Sequence, residues 1–172
     1  MECKLMKILI ISDSHGMDKN LKYVINKVKP IDMLIHLGDF NGNYDYIAQL
    51  AECPVEAVCG NNDFFCDIED EKLINIADKK VFMSHGHKYG VSYSPDRIKS
   101  IGMGQDVDII MFGHTHIPLI DKTSGVWTIN PGSISLPRQA NRLPTYIIMD
   151  VDNYGDVHFT LKYIKKVYDR IF

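Results

Sequence analysis

Apolar positions along this chain follow two rhythms in turn. Lys7–Ser12 is a short, almost unbroken apolar run rich in Ile, the pattern of a strand buried on both faces. Asp18–Val28 then sets Leu21, Val24, Ile25 and Val28 on one helical face, with Pro30 beyond its end. Met33–Leu37 predicts a second buried strand and Tyr44–Ala51 a second helix. Pro54 separates that helix from a third strand at Val55–Cys59. Strand and helix in alternation imply a parallel sheet with helices packed on it.

The second half changes character. Lys72–Ile76 and Lys80–Ser84 flank Ala77-Asp78-Lys79 and suit a hairpin. A helix is expected from about Pro95 to Met103, with Ser94 as N-cap and Pro95 at its first position. Val107–Phe112 reads as another buried strand. Shorter strands follow at Ile117–Asp121, Val126–Ile129, Thr145–Asp152 and Val157–Ile164, with a turn at Asn153-Tyr154-Gly155. Strands without helices between them point to antiparallel pairing, so the later half adds a more antiparallel sheet. The expected fold is α/β: two mixed β-sheets packed face to face as a sandwich, with helices on the outside.

Composition narrows the classes without choosing among them. The 172 residues fit one domain spanning 1–172, and 45% hydrophobic with 24% charged residues argues against disorder. The net charge is −3 with Lys and Arg dispersed, so no basic stripe marks a nucleic-acid-binding surface. No run approaches the roughly 20 apolar residues needed to span a bilayer, so no membrane is expected as a partner. The run Ile8–Ile11 is too soon interrupted for a signal peptide. Cys3, Cys53, Cys59 and Cys66 form no Cys-x-x-Cys pair, and reduced thiols in a cytoplasmic protein are the expectation.

Candidate chemistry gathers where the strands end. Asp13-Ser14-His15, Gly38-Asp39, Gly60-Asn61-Asn62-Asp63, Ser84-His85-Gly86-His87 and Gly113-His114-Thr115-His116 each follow a hydrophobic run. Open α/β sheets bind ligands at the carboxyl ends of strands, so residues distant in sequence can converge there. Taken singly, each piece has a plain reading as a turn or a helix cap. Taken together, Asp13, His15, Asp39, Asn61, His85, His114 and His116 form a mixed oxygen and nitrogen donor set. Such a set suits Mn, Fe, Zn, Co or Ni rather than Ca. It is too large for one tetrahedral zinc, and divided around a shared carboxylate it would hold two ions.

These motifs, in this order, resemble the calcineurin-like metallophosphoesterase superfamily, and most of all its small bacterial and archaeal phosphodiesterase branch. The resemblance runs from Asp13-Ser14-His15-Gly16 to Ile129-Asn130-Pro131-Gly132-Ser133. It implies two divalent metal ions, manganese foremost, with Ni, Co, Zn or Fe as alternatives. One ion would take Asp13, His15, Asp39 and His116; the other would take Asp39, Asn61, His85 and His114, with Asp39 bridging. The implied reaction is hydrolysis of a small-molecule or extended phosphodiester by in-line attack of a metal-bridging hydroxide, with inversion at phosphorus. Many superfamily members carry His after the metal-binding Asn, where this chain has Asn62. Asn can donate to a phosphoryl oxygen but is no general acid, and His87 is a candidate to replace the missing group. Asp63 is expected to orient Asn62 or a ligand imidazole, whereas His36 reads as a core histidine and Arg138 as a solvated arginine. Alternatives on the same fold are a phosphomonoesterase and a non-catalytic protein-binding scaffold. Family members commonly self-associate, so a homo-oligomer is compatible with the resemblance.

Overall fold

The computed structural model describes residues 6–165. Two five-stranded sheets stack face to face. The first is ordered β10-β9-β1-β2-β3, from β1 (Met6–Ile11), β2 (Met33–His36), β3 (Val55–Ala57), β9 (Thr145–Val151) and β10 (Val157–Tyr163). The second is ordered β4-β5-β6-β8-β7, from β4 (Glu71–Ile76), β5 (Lys79–Ser84), β6 (Ile109–Met111), β7 (Pro118–Asp121) and β8 (Trp127–Pro131). Strand side chains alternate between two faces, and both faces of β1 are covered, so it is apolar from Ile8 to Ile11. Ile8 and Ile10 meet Val81, Met83, Ile109 and Met111 of the facing sheet, forming the central core. Leu9 and Ile11 point the other way, onto α1 (Asp18–Val28) and α2 (Tyr44–Ala51) through Leu21, Val24, Ile25 and Ile47. On the far side, Phe82 and Ile110 pack against Ile98 of α3 (Asp96–Gly104). The result is four layers, helix–sheet–sheet–helix, as the sequence pattern predicts.

Three expectations need correction. The second sheet is no more antiparallel than the first: each has two parallel and two antiparallel pairings, and in the second β5, β6 and β8 run parallel with antiparallel partners at the edges. The physical reason is that α3 carries the chain back between β5 and β6, and β7 is a short excursion that returns it for β8. Pro95 sits at the cap rather than inside α3, with the Ser94 hydroxyl accepting from the Asp96 N–H at 3.1 Å. Cys59 and Cys66, expected as reduced thiols, are joined in a disulfide with Cα atoms 6.5 Å apart. The chain doubles back after β3, Cys59 N–H donating to Glu69 O at 3.0 Å, and that return brings the two sulfurs together. Cys53 is free, and Cys3 lies outside the described residues. Among the described residues, no helix is long and apolar enough to cross a membrane.

Because β1, β2 and β3 are parallel, as are β5 and β6, their carboxyl ends can be brought to one end of the sandwich. The loops there are stitched together across the two sheets. Asp13 N–H donates to Gly38 O at 3.0 Å, Gly113 N–H to His85 O at 3.2 Å, and His114 N–H to the Asp13 carboxylate at 3.1 Å.

Candidate metal centre

The residues that end these strands turn sharply. Asp13, His15, Asp39, His114 and His116 all have φ between +49° and +65°, in the left-handed region. Non-glycine residues there cost backbone free energy, and such strain concentrates at functional sites. Gly38, at φ +92°, permits a close approach: a Cβ would lie 2.7 Å from His85 Nδ1 and 2.8 Å from the Gly60 N.

Two clusters of ligand atoms result. Asp13, His15 and His116 form one, and Asp13, Asp39 and His85 the other, each with its donor atoms within 4.8 Å of one another. His116 Nε2 lies 3.2 Å from Asp13 Oδ1 and 3.3 Å from His15 Nε2. His15 Nε2 is 3.7 Å from Asp39 Oδ2, and His85 Nε2 is 3.5 Å from the same oxygen. Asp13 is thus the residue common to both clusters, with Asp39 beside each. The His114 ring stands edge-on to His85 at 5.2 Å between centroids. Asn61 is exposed on the neighbouring loop.

The imidazoles are set in their tautomers by carbonyls, which can only accept. His85 Nδ1 donates to Leu37 O at 2.6 Å and His116 Nδ1 to Leu136 O at 2.6 Å. In the neutral ring each Nε2 then keeps its lone pair, turned toward the carboxylates, as a metal ligand requires. Asp13 Oδ1 and His85 Nε2 are fully buried and make no hydrogen bond among the described residues. Unpaired polar atoms of this kind are costly, and here a lone-pair nitrogen and a carboxylate oxygen face each other at 3.9 Å. A divalent cation bound at each atom would satisfy both. The donor chemistry fits divalent metal ions.

Electrostatics follow the same geometry. Burial alone would push Asp39 upward, but the nearby His85 and the Asn62 hydrogen bonds outweigh it and hold this carboxyl below the usual range. Asp13 is likewise lowered: burial opposes, and His116, His85 and Ser12 prevail. His85 is raised, since Asp39 and Asp13 overcome its desolvation. His114 and His87 are lowered, first by burial and then by the His85 charge.

Other expected participants take more specific places. Asn62 grips Asp39 twice, from its backbone N–H at 2.9 Å and its amide Nδ2 at 2.7 Å. His87 is half-buried, its ring 5.6 Å from that of His85. Asp63, expected beside Asn62 or an imidazole, instead accepts from the backbone N–H groups of Asp39, Asn41 and Gly60 at 2.7, 2.6 and 2.8 Å. It locks two ligand-bearing loops together. Asn130 donates to Gly113 O at 2.8 Å, and Ser133 Oγ to Asp13 O at 2.8 Å, so the Asn-Pro-Gly-Ser segment supports the loops rather than merely turning the chain. His36 is fully buried, its Nε2 3.0 Å from Ser14 Oγ, and Arg138 is exposed, touching the site through its backbone N–H to His116 O.

The pattern of the calcineurin-like phosphoesterase superfamily domain matches residues 6–154. The chain belongs to this superfamily. It is 35% identical over 149 residues to the probable metallophosphoesterase YsnB of Bacillus subtilis, covering 86% of each chain. It is 30% identical over 165 residues to the phosphodiesterase MJ0936 of Methanocaldococcus jannaschii, covering 86% of this chain and 94% of that one. The fold is shared with the crystal structure of a Vps29 variant from Entamoeba histolytica, at TM-score 0.74 and 22% identity over 93% of this chain and 100% of that one. Two mixed sheets flanked by helices are therefore the family's architecture as well as this chain's, and phosphoester hydrolysis with divalent metal ions is the family's chemistry.

Proposed function

We propose that this chain is a dinuclear phosphodiesterase. Asp13, His15, Asp39 and His116 hold one cation, and Asp39, Asn61, His85 and His114 the other. The observation that carries the reading is the buried, unpaired facing of Asp13 Oδ1 and His85 Nε2, with both Nδ1 atoms of His85 and His116 committed to carbonyls. Two divalent cations, manganese foremost and Ni, Co, Zn or Fe as alternatives, supply Lewis acidity that acidifies water and offsets charge on phosphoryl oxygens. The chain's own part is to hold and orient. Asn62 fixes the Asp39 carboxylate, and its amide is chemically able to donate to phosphate. Asn62 is no general acid, and the His87 pKa is lowered, first by burial and then by His85, so less of that ring carries a proton to give. Water attacks phosphorus in line and the leaving alkoxide departs with little protonation, so activated leaving groups are favoured and phosphorus inverts.

The test is metal analysis of the purified protein, followed by turnover of aryl phosphodiesters and monoesters with Mn, Co, Ni, Zn and Mg. Two ions per chain and faster diester turnover are expected. Monoesters turned over faster would make it a phosphomonoesterase. Bound metal with no turnover under any cation, together with tight binding of a protein partner, would make it a scaffold on this fold.

A further inference from the structure

The inner wall of the metal centre is carboxylate and imidazole, yet the loops around it also carry exposed apolar side chains. Met17 follows His15 and Gly16, Ile117 follows His116, and Phe64 and Phe65 follow Asn61-Asn62-Asp63. All four are exposed, as is Leu136, whose carbonyl holds His116 Nδ1. Isolated exposed apolar residues need no explanation. These are not isolated. Ser135 Oγ donates to Met17 O at 3.3 Å, so Met17 and Leu136 lie on loops that touch, and Ile117 joins them through His116. Phe64 and Phe65 stand on a loop closed by the Cys59–Cys66 disulfide and anchored to Asp39 and Asn41 through Asp63. Phe65 is wholly exposed, at 105%, and holds φ +57°, an unusual conformation for a bulky residue. A short anchored loop that keeps two aromatic rings in water beside a ligand-bearing segment is built for something to cover them.

We propose that Phe64 and Phe65, with Met17, Ile117 and Leu136, seat an ester group of the substrate, and that this group carries an aromatic ring. The proposal rests on the phosphodiesterase reading above and deepens it. A phosphodiester carries one negative charge, which the metal centre takes, so discrimination among diesters falls to what the two ester oxygens carry. With the phosphoryl group at the ligands, those groups must be accommodated by the loops that carry the ligands. The chain's net charge of −3 disfavours a polyanionic substrate, whereas an apolar ledge favours a single diester bearing an aryl or nucleobase ring. Aromatic faces stack on such rings with gain beyond the area buried.

Three diesters with the same p-nitrophenolate leaving group separate the possibilities: bis(p-nitrophenyl) phosphate, thymidine 5′-(p-nitrophenyl phosphate) and methyl p-nitrophenyl phosphate. Each is turned over by the metal-loaded wild type, by Phe64→Ala/Phe65→Ala and by Met17→Ser/Leu136→Ser, with metal content measured alongside. The preference for ring-bearing over methyl esters, as a ratio of kcat/KM, is expected to fall about ten-fold in at least one double variant, mostly through KM. Equal losses for the aryl and thymidine esters assign the seat to rings generally, and loss confined to one identifies which. An unchanged preference in both variants, with metal content and turnover retained, overturns the inference and leaves the phosphodiesterase reading standing. A wild type that is dimeric while the Phe variant is monomeric, with preference unchanged, makes the ledge a contact between copies and also overturns it. No turnover of any diester by the metal-loaded wild type removes both readings together.

Discussion

His36 is a proton-linked residue that lies outside the ligand set. It is fully buried against Ser14, and burial pushes its pKa down to about 4. In the unfolded chain the same ring protonates near 6.5. Between those values the unfolded state binds a proton that the folded state refuses, so stability falls as pH drops from 6.5 toward 4. The total comes to about 3 kcal/mol and changes no further below that range. Urea unfolding of wild type and His36→Gln across pH 7 to 4 should show that much less acid loss in the variant. An identical slope in the two would mean that His36 does not carry the effect. Asp39→Asn acts at the centre itself: it removes a charge and turns an amide toward the Asn62 donors. Turnover should drop roughly 100-fold or more, with less metal bound per chain. At this scale the ligand types were legible in sequence because paired histidines after apolar runs are uncommon. The task of Asp63 was not, because its partners are backbone N–H groups that meet only after two loops fold together.

The elements of the first half were readable almost to the residue, since α1 and α2 span the ranges that their apolar spacing predicts. Helical faces and both-side-buried strands leave strong periodic signatures. Strand direction in the second sheet leaves none, and it is set by where the chain crosses over. The expected strand Val107–Phe112 shortens to Ile109–Met111, because Val107 packs beside α3 and Phe112 begins the turn toward His114. What joins elements at the centre is backbone proximity, and Gly38 tests it. Ala at position 38 would place a Cβ against both His85 Nδ1 and the Gly60 backbone while holding φ at +92°. Gly38→Ala should therefore lose about 2 kcal/mol of stability in denaturant titrations and weaken metal binding through a displaced His85. A variant with wild-type stability and metal affinity would show that the loops have slack the packing does not suggest.

On the scale of the molecule, the centre lies between the sheets rather than within one. Asp13 and Asp39 end β1 and β2 of the first sheet, while His85, His114 and His116 follow β5 and β6 of the second. A cation taken up there cross-links the two halves of the sandwich, and unfolding must release it. Binding to the folded state alone stabilises by about 2.7 kcal/mol for each ion present at a hundred times its Kd. For a chain of this length each kcal/mol raises Tm by about 2–4 °C. Saturation with Mn should thus raise Tm by at least about 5 °C over chelator-treated protein, and the rise should be smaller in Asp39→Asn. The same gain should vanish between about pH 6 and 5, because imidazoles that protonate no longer ligate. The two acid effects separate cleanly: the His36 contribution persists in chelator, whereas the metal contribution requires the ion. If Tm were indifferent to Mn at neutral pH under saturating conditions, the facing carboxylates and imidazoles would be a polar seam between sheets and not a metal centre.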